Sequence, residues 1–281
     1  MAGEGSDSQR VAMFDDLADY LIQIPAGLEI PEFLPVTYAT SSTLPFFEAY
    51  FSNFIERTEF TLAEAERIVH EGEIPENRPD DAHDILGTYR LVASPEGRAV
   101  VATDESSFLD LLRSRHETIM EGRPQMKPGE FKTMSNQAVS YVFVQPDLVG
   151  GTLREGFVRA QKIPEGFLRA VFQMFVVSEV HPFADGNGRV ARIFMGAELS
   201  AVNQSRILIP IVWRNEYIRA LRLASRDGRF ELLVRTLAHA WKWTAAMPWQ
   251  DRRAVDGQLQ ATNALVDSTE AEQRGLRLEL P

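Results

Sequence analysis

Residues 181–194 read HPFADGNGRVARIF, and the rest of the chain is best read outward from them. One histidine, one aspartate, a Gly-Asn-Gly turn and two arginines three apart stand between two apolar runs. The first run, PEGFLRAVFQMFVVSEV (164–180), reads as a helix with Pro164 in its first turn. It is apolar at Phe167, Leu168, Val171, Phe172, Phe175 and Val176. In the second, Val190, Ile193, Phe194 and Ala197 fall at i, i+3, i+4 and i+7, one buried helical stripe. A turn between two core helices is therefore carrying most of the polar chemistry. Gly186 and Gly188 let the backbone adopt left-handed angles, so successive N–H groups face one concavity that binds anions. That concavity opens onto a helix N-terminus, which favours anions again. Arg189 and Arg192 are expected on one face of that helix, outside the stripe, as a pair of clamps suited to a polyphosphate. Asp185, just before the turn, is placed to anchor Mg²⁺, which takes few protein carboxylates and completes its shell with phosphate oxygens and water. His181 is placed to act as a neutral general base. Base, metal anchor, cradle and clamps on one loop are what transfer of a phosphoryl-type group needs.

The whole chain sets limits on this reading. Its 281 residues, 44% hydrophobic and 25% charged, suit a globular core of one large domain or two small ones. Without cysteine there is no thiolate nucleophile and no cysteine-based metal site. A formal charge of −11 argues against nucleic acid as partner and biases protein partners toward basic ones. No apolar run is long enough to span a membrane, and the first thirty residues lack a basic stretch followed by an apolar one. No membrane association and no signal peptide are expected, and the cytoplasm is the expected compartment.

Patterning along the chain predicts a mainly α fold. Residues 1–10 read as disordered and 10–24 as a first short helix. STLPFFEAYFSNFIER (42–57) reads as a helix with Thr43 as N-cap, its apolar pairs Phe46/Phe47, Tyr50/Phe51 and Phe54/Ile55 recurring every four residues. Glu48, Ser52 and Glu56 then share the opposite, wet face. Thr61 and Glu64 form a capping box that opens a helix ending near Gly72. AVSYVFVQP (138–146) is the most strand-like run. Helices are expected over 214–226 and 230–247, and a polar surface helix or tail over 248–281.

The stretch from His181 to Arg192 resembles the signature of the Fic family, His-Pro-Phe-x-(Asp/Glu)-Gly-Asn-Gly-Arg-x-x-Arg. His181, Pro182, Phe183, Asp185, Gly186, Asn187, Gly188, Arg189 and Arg192 fill every fixed position. The resemblance implies a Fic fold, a helical bundle with one β-hairpin flap, and a protein adenylyltransferase. Such an enzyme moves AMP from ATP to a Ser, Thr or Tyr hydroxyl of a protein, itself included. Carried over by position, His181 is the catalytic base and Asp185 the Mg²⁺ ligand. Gly186 and Gly188 offer N–H groups, Asn187 and Arg189 lie near the α- and β-phosphates, and Arg192 holds the γ-phosphate. The flap is expected at 139–145, with Val139, Tyr141, Val142 and Phe143 pinning the target segment by strand addition. Asn215 and Tyr217 are the candidates for adenine contact. Upstream, Ser52-x-x-x-Glu56 resembles the family's inhibitory motif, (Ser/Thr)-x-x-x-Glu-(Gly/Asn), so Glu56 is expected to pair with Arg192 and occupy the guanidinium that the γ-phosphate needs. Arg57 departs from the Gly or Asn of that motif. The expected organisation is an N-terminal segment (1–40), a Fic domain (41–247) with the inhibitory helix at about 43–57 and the catalytic loop at 181–192, and the C-terminal segment 248–281. A homo-oligomer is compatible with it. The competing readings are a Fic enzyme that removes AMP, one that uses another nucleotide or transfers phosphate as the Doc toxins do, and a nucleotide-binding regulator with little catalysis.

Overall fold

In the computed structural model, residues 5–24, 27–36, 43–138 and 140–281 are described. Thirteen α-helices occur among them: α1 (Ser8–Ile22), α2 (Leu44–Ile55), α3 (Leu62–Glu66), α4 (Pro79–Ala93), α5 (Pro95–Ala99), α6 (Glu105–Ile119), α7 (Val149–Ala160), α8 (Phe167–Val180), α9 (Asn187–Ala201), α10 (Arg214–Asp227), α11 (Phe230–Ala246), α12 (Arg252–Ala261) and α13 (Ser268–Arg274). One antiparallel hairpin joins β1 (Gln137–Ala138) to β2 (Tyr141–Val142), pairing Gln137 with Val142 and Ala138 with Tyr141. The mainly α bundle with a single hairpin is as expected.

Helices α8 and α9 pack along each other at the centre. Their apolar stripes, with Val171, Phe172, Phe175, Val190 and Phe194, lie in one core that also takes Phe14, Leu17 and Leu21 of α1. That places the amino-terminal residues differently from the expectation of disorder up to residue 10. Asp7 caps α1, accepting from the N–H groups of Gln9 and Arg10, so order begins before Ser8. Helix α8 starts at Phe167, later than the Pro164 start expected, because Gly166 at φ 95° breaks the run.

A second core joins Phe46, Phe47 and Phe51 of α2 to Trp243, Trp249, Val255, Leu259 and Leu278. The segment after Pro248, expected as a surface helix or tail, forms helices, and these pack into the core instead of lying on the surface. Val255 and Leu259 sit one turn apart on α12, enough apolar surface to close α2 against the body, although the stretch is polar on average. Thr43 contributes by donating from both its N–H (2.9 Å) and its hydroxyl (3.0 Å) to the Trp249 carbonyl, and not by capping α2 with its side chain. The capping box at Thr61 and Glu64 is present, and Gly72 closes that segment in the left-handed region (φ 71°).

Candidate active site

The turn between α8 and α9 is fixed from three sides. The Asn187 carboxamide is nearly fully buried and staples the loop to itself: its Oδ1 accepts from the Phe183 N–H (2.8 Å) and its Nδ2 donates to the Phe183 carbonyl (2.9 Å). The His116 ring stacks flat on Phe183, with centroids 3.7 Å apart. Its Nε2–H donates to the Asp185 carbonyl (3.0 Å) and its Nδ1 accepts from the Gly129 N–H (2.9 Å), a pattern that only a neutral imidazole satisfies. From the third side, Lys132 gives its N–H to the Pro182 carbonyl (2.8 Å) and its ammonium to Asn136 Oδ1 (2.7 Å) and the Val180 carbonyl (3.3 Å). Burial, with Arg10 nearby, lowers the Lys132 amine to about 8.

The two glycines play different parts. Gly186 takes φ 76°, and a Cβ there would stand 2.8 Å from the Met120 sulfur. Gly188 is helical, in the first turn of α9, and contributes space instead of a left-handed angle: a Cβ on it would meet Glu56 Oε1 at 2.1 Å. No side chain caps α9, so its leading N–H groups stay available to an anion, with the Glu56 carboxylate beside Gly188.

Arg189 and Arg192 do not act as a pair. Both are buried, at 2% and 6% exposure, and they diverge. Arg189 turns to α4, with Asp84 at 2.6 Å and Asn53 Oδ1 at 3.3 Å, while Arg123 holds the same Asp84. Arg192 turns to α2: it donates to Ser52 Oγ (3.0 Å), to the Ser52 carbonyl (2.8 Å) and to Glu56 Oε1 (2.7 Å). The wet face expected for Glu48, Ser52 and Glu56 is thus a buried, arginine-facing stripe, with only Glu56 still a third in solvent. The helix ends at Glu56 because Arg57 takes φ 66°, the left-handed angle that Gly or Asn adopts most readily. Arg214, at the head of α10, donates from Nε to the Ile55 carbonyl (3.0 Å) and closes that end.

A cleft of about 300 Å³ runs beside this contact. Glu56, Gly188, Arg192, His181, Tyr217 and the flap residues Tyr141 and Phe143 line it. His181 sits at φ 52° just past α8, its ring stacked on Phe143 at 3.8 Å. Its Nδ1 lies 3.3 Å from the Ser178 carbonyl, so Nδ1 carries the proton and Nε2 is the free base. Burial lowers its pKa to about 4, which keeps the ring neutral at pH 7. Tyr217 is buried in the cleft wall, its hydroxyl donating to the Met174 sulfur (3.5 Å), whereas Asn215 stands outside the cleft walls, accepting from Arg214 at 3.5 Å. Of the flap residues, Val142 is exposed and Val139 lies outside the described residues.

Asp185 is about half exposed, with one oxygen taking the Gly186 N–H (2.7 Å) and the other 3.9 Å from Arg189. Among the described residues no group of three or more His, Cys, Asp or Glu converges. A single carboxylate fits Mg²⁺ only as one ligand beside phosphate oxygens and water. No helix among the described residues is long and apolar enough to cross a membrane.

Sequence patterning gave no warning of His116, Lys132, Arg10 or Glu179. The last two form a buried pair (2.8 Å) that holds the flap: Glu179 bonds the Tyr141 hydroxyl, and Arg10 donates to the Val142 carbonyl (2.7 Å).

Residues 106–199 match the Fic/DOC family. The chain is 24% identical over 202 residues to "Protein adenylyltransferase Fic" of Drosophila erecta, covering 68% of this chain and 40% of that one. To the protein of the same name from Nematostella vectensis it is 23% identical over 243 residues, 85% of this chain and 55% of that one. It therefore spans about half the length of these curated relatives. Among solved structures, Fic-1 of C. elegans aligns with a TM-score of 0.60 at 19% identity, over 90% of this chain and 73% of that one. A Fic family protein from Desulfovibrio desulfuricans G20 aligns at 0.59 and 16% identity, over 98% and 81%.

Proposed function

We propose that the chain, whose residues 106–199 match the Fic/DOC family, is a protein adenylyltransferase that transfers AMP from ATP to a protein hydroxyl and is restrained by Glu56. The observation that carries the reading is the meeting, in one cleft, of a free imidazole base and an uncapped helix N-terminus with an arginine already occupied by a carboxylate of the same chain. In the reaction, a target hydroxyl gives its proton to His181 Nε2 and its oxygen attacks the α-phosphorus. The bond from that phosphorus to the β-phosphate bridge breaks, and pyrophosphate leaves. The first-turn N–H groups of α9 and Arg192 hold the phosphates; Asp185 is the residue to hold Mg²⁺, which neutralises phosphate charge when bound. Asn187, His116 and Lys132 keep the loop in register, and Arg189, committed to Asp84, serves that frame. While Ser52 and Glu56 together occupy the Arg192 guanidinium, the outermost phosphate lacks its clamp.

The test is labelling with ATP marked at the α-phosphate. Glu56→Gly is expected to raise incorporation into protein, the chain itself included, by tenfold or more on an order-of-magnitude scale. Adding His181→Ala is expected to remove it, a loss of about 10²–10⁴-fold. Label that passes only from the γ-phosphate would show a kinase instead. Because Glu56 lines the same cleft as His181, it is also placed to orient a water, and a removing activity is a second reading. AMP released from a modified protein by the wild type and not by Glu56→Gly would establish it.

A further inference from the structure

The outer wall of the cleft is unlike the rest of this acidic chain. Beyond the apolar side chains of Ile218 and Leu221, α10 presents Arg222 and Arg226, one turn apart and both exposed. Among the described residues neither enters an ion pair; Arg226 only approaches the Tyr141 ring, its guanidinium 5.9 Å from the centroid. The nearby acids are already taken. Glu216 holds Arg219 (2.6 Å), Glu179 is shared by Arg10 and Tyr141, and Glu56 holds Arg192, which leaves Asp227 at the end of α10. Two free guanidiniums flank a catalytic cleft in a chain whose formal charge is −11.

Their place relative to the flap gives them an occupant. The Tyr141 hydroxyl of β2, bonded to Glu179, lies 3.2 Å from the carbonyl of Ser225, the residue before Arg226, so the flap and the end of α10 form one surface. Phe143, its ring 5.6 Å from that of Tyr141, covers His181. Arg222 and Arg226 line the same cleft as His181, on the wall that meets the flap. We propose that this surface selects acceptor segments with acidic residues beside the modified hydroxyl, the reverse of the basic partner that net charge alone suggests. The inference rests on the adenylyltransferase reading and names the class of its protein substrate.

Equilibrium binding tests it without turnover. Three labelled peptides share one threonine and differ in flanks of Glu, Gln or Lys. Fluorescence anisotropy is read at low ionic strength with the Glu56→Gly protein and with the same protein carrying Arg222→Glu and Arg226→Glu. The Glu-flanked peptide is expected to bind about fivefold tighter than the Gln-flanked one, the worth of two modest exposed ion pairs. The double arginine variant should invert the order to favour Lys, and the preference should shrink in high salt. Equal binding of all three peptides, or an order unchanged by the double variant, overturns the proposal. So does a variant that weakens ATP and leaves the peptide order alone, since the arginines then serve the nucleotide. Both arginines are exposed, so matching thermal melts will show that the variant is folded. If the peptides rank as expected and no α-label is ever transferred, the docking surface stands and the adenylyltransferase reading falls.

Discussion

Helix α2 makes two carboxylate–arginine contacts from one face, eight residues apart, and they have opposite characters. Glu48 takes both sides of the Arg206 fork, and that pair is sealed: the arginine is fully buried and also donates to the Arg98 carbonyl (2.9 Å) and Ser200 Oγ (2.9 Å). Glu56 touches one nitrogen of Arg192, at the wall of the cleft, with 33% of its side chain in solvent. The first contact holds the helix and the second can open. On the proposed reading, relief of inhibition requires only that the Glu56 side chain swing aside, while α2 stays docked through Glu48, Thr43 and its aromatic face.

The largest effects test that division directly. Glu48→Ala strands the Arg206 charge in the interior and is expected to cost about 3–5 kcal/mol of stability, read as a drop in urea midpoint. Glu56→Ala removes a partly solvated contact and should cost about 1 kcal/mol or less while raising AMP transfer. Comparable losses from the two substitutions would break the distinction between anchor and switch.

A second contrast of sealed against open lies within the catalytic loop. His116 has both ring nitrogens bonded and no exposure, whereas His181 has one nitrogen free toward the cleft. Burial, the largest cause for each, lowers both to about 4. Between that value and an unfolded value of about 6.5, the unfolded chain takes up protons that the folded one refuses. Stability is therefore full above pH about 6.5 and falls as pH drops toward 4, with His116 alone accounting for on the order of 3 kcal/mol. Urea unfolding across that range checks the slope, and His116→Gln should flatten it. Transfer by Glu56→Gly should show no inflection near pH 6.5, because His181 is still a base there.

These contrasts were only partly open to the sequence. Turn, helices and base are local: glycine spacing, apolar periodicity and the position of His181 report them directly. The partners of the two arginines are not local. Arg189 meets Asp84 and Arg192 meets Ser52, contacts that span more than a hundred residues in the chain, and spacing on α9 cannot tell which neighbour each guanidinium will face. Polarity also misled. Glu48 and Ser52 look like a wet face until a facing arginine is known, and α12 looks like a surface helix or tail because only two apolar residues, one turn apart, bury its inner face. The hairpin, expected over 139–145, lies at 137–142 with two residues per strand, and Arg10 and Glu179 tie it to the body through Val142 and Tyr141, contacts no local pattern reports.

The smallest expected effect concerns the end of the switch. Arg57 occupies φ 66°, an angle that costs a residue with a Cβ about 1 kcal/mol and glycine nearly nothing. The angle lies where α2 ends, one residue past Glu56, so an arginine here tolerates strain at the helix end that carries the carboxylate. Arg57→Gly should relieve that strain, less what glycine gives the unfolded chain, for a net gain of about 0.5 kcal/mol and a rise in melting temperature of about 1–2 °C. Basal labelling should be unchanged, because the helix end that carries Glu56 is already formed. A rise in labelling instead would mean that the Arg57 side chain, and not only its backbone angle, helps hold Glu56 against Arg192, and the open pair would then depend on one more residue than its geometry requires.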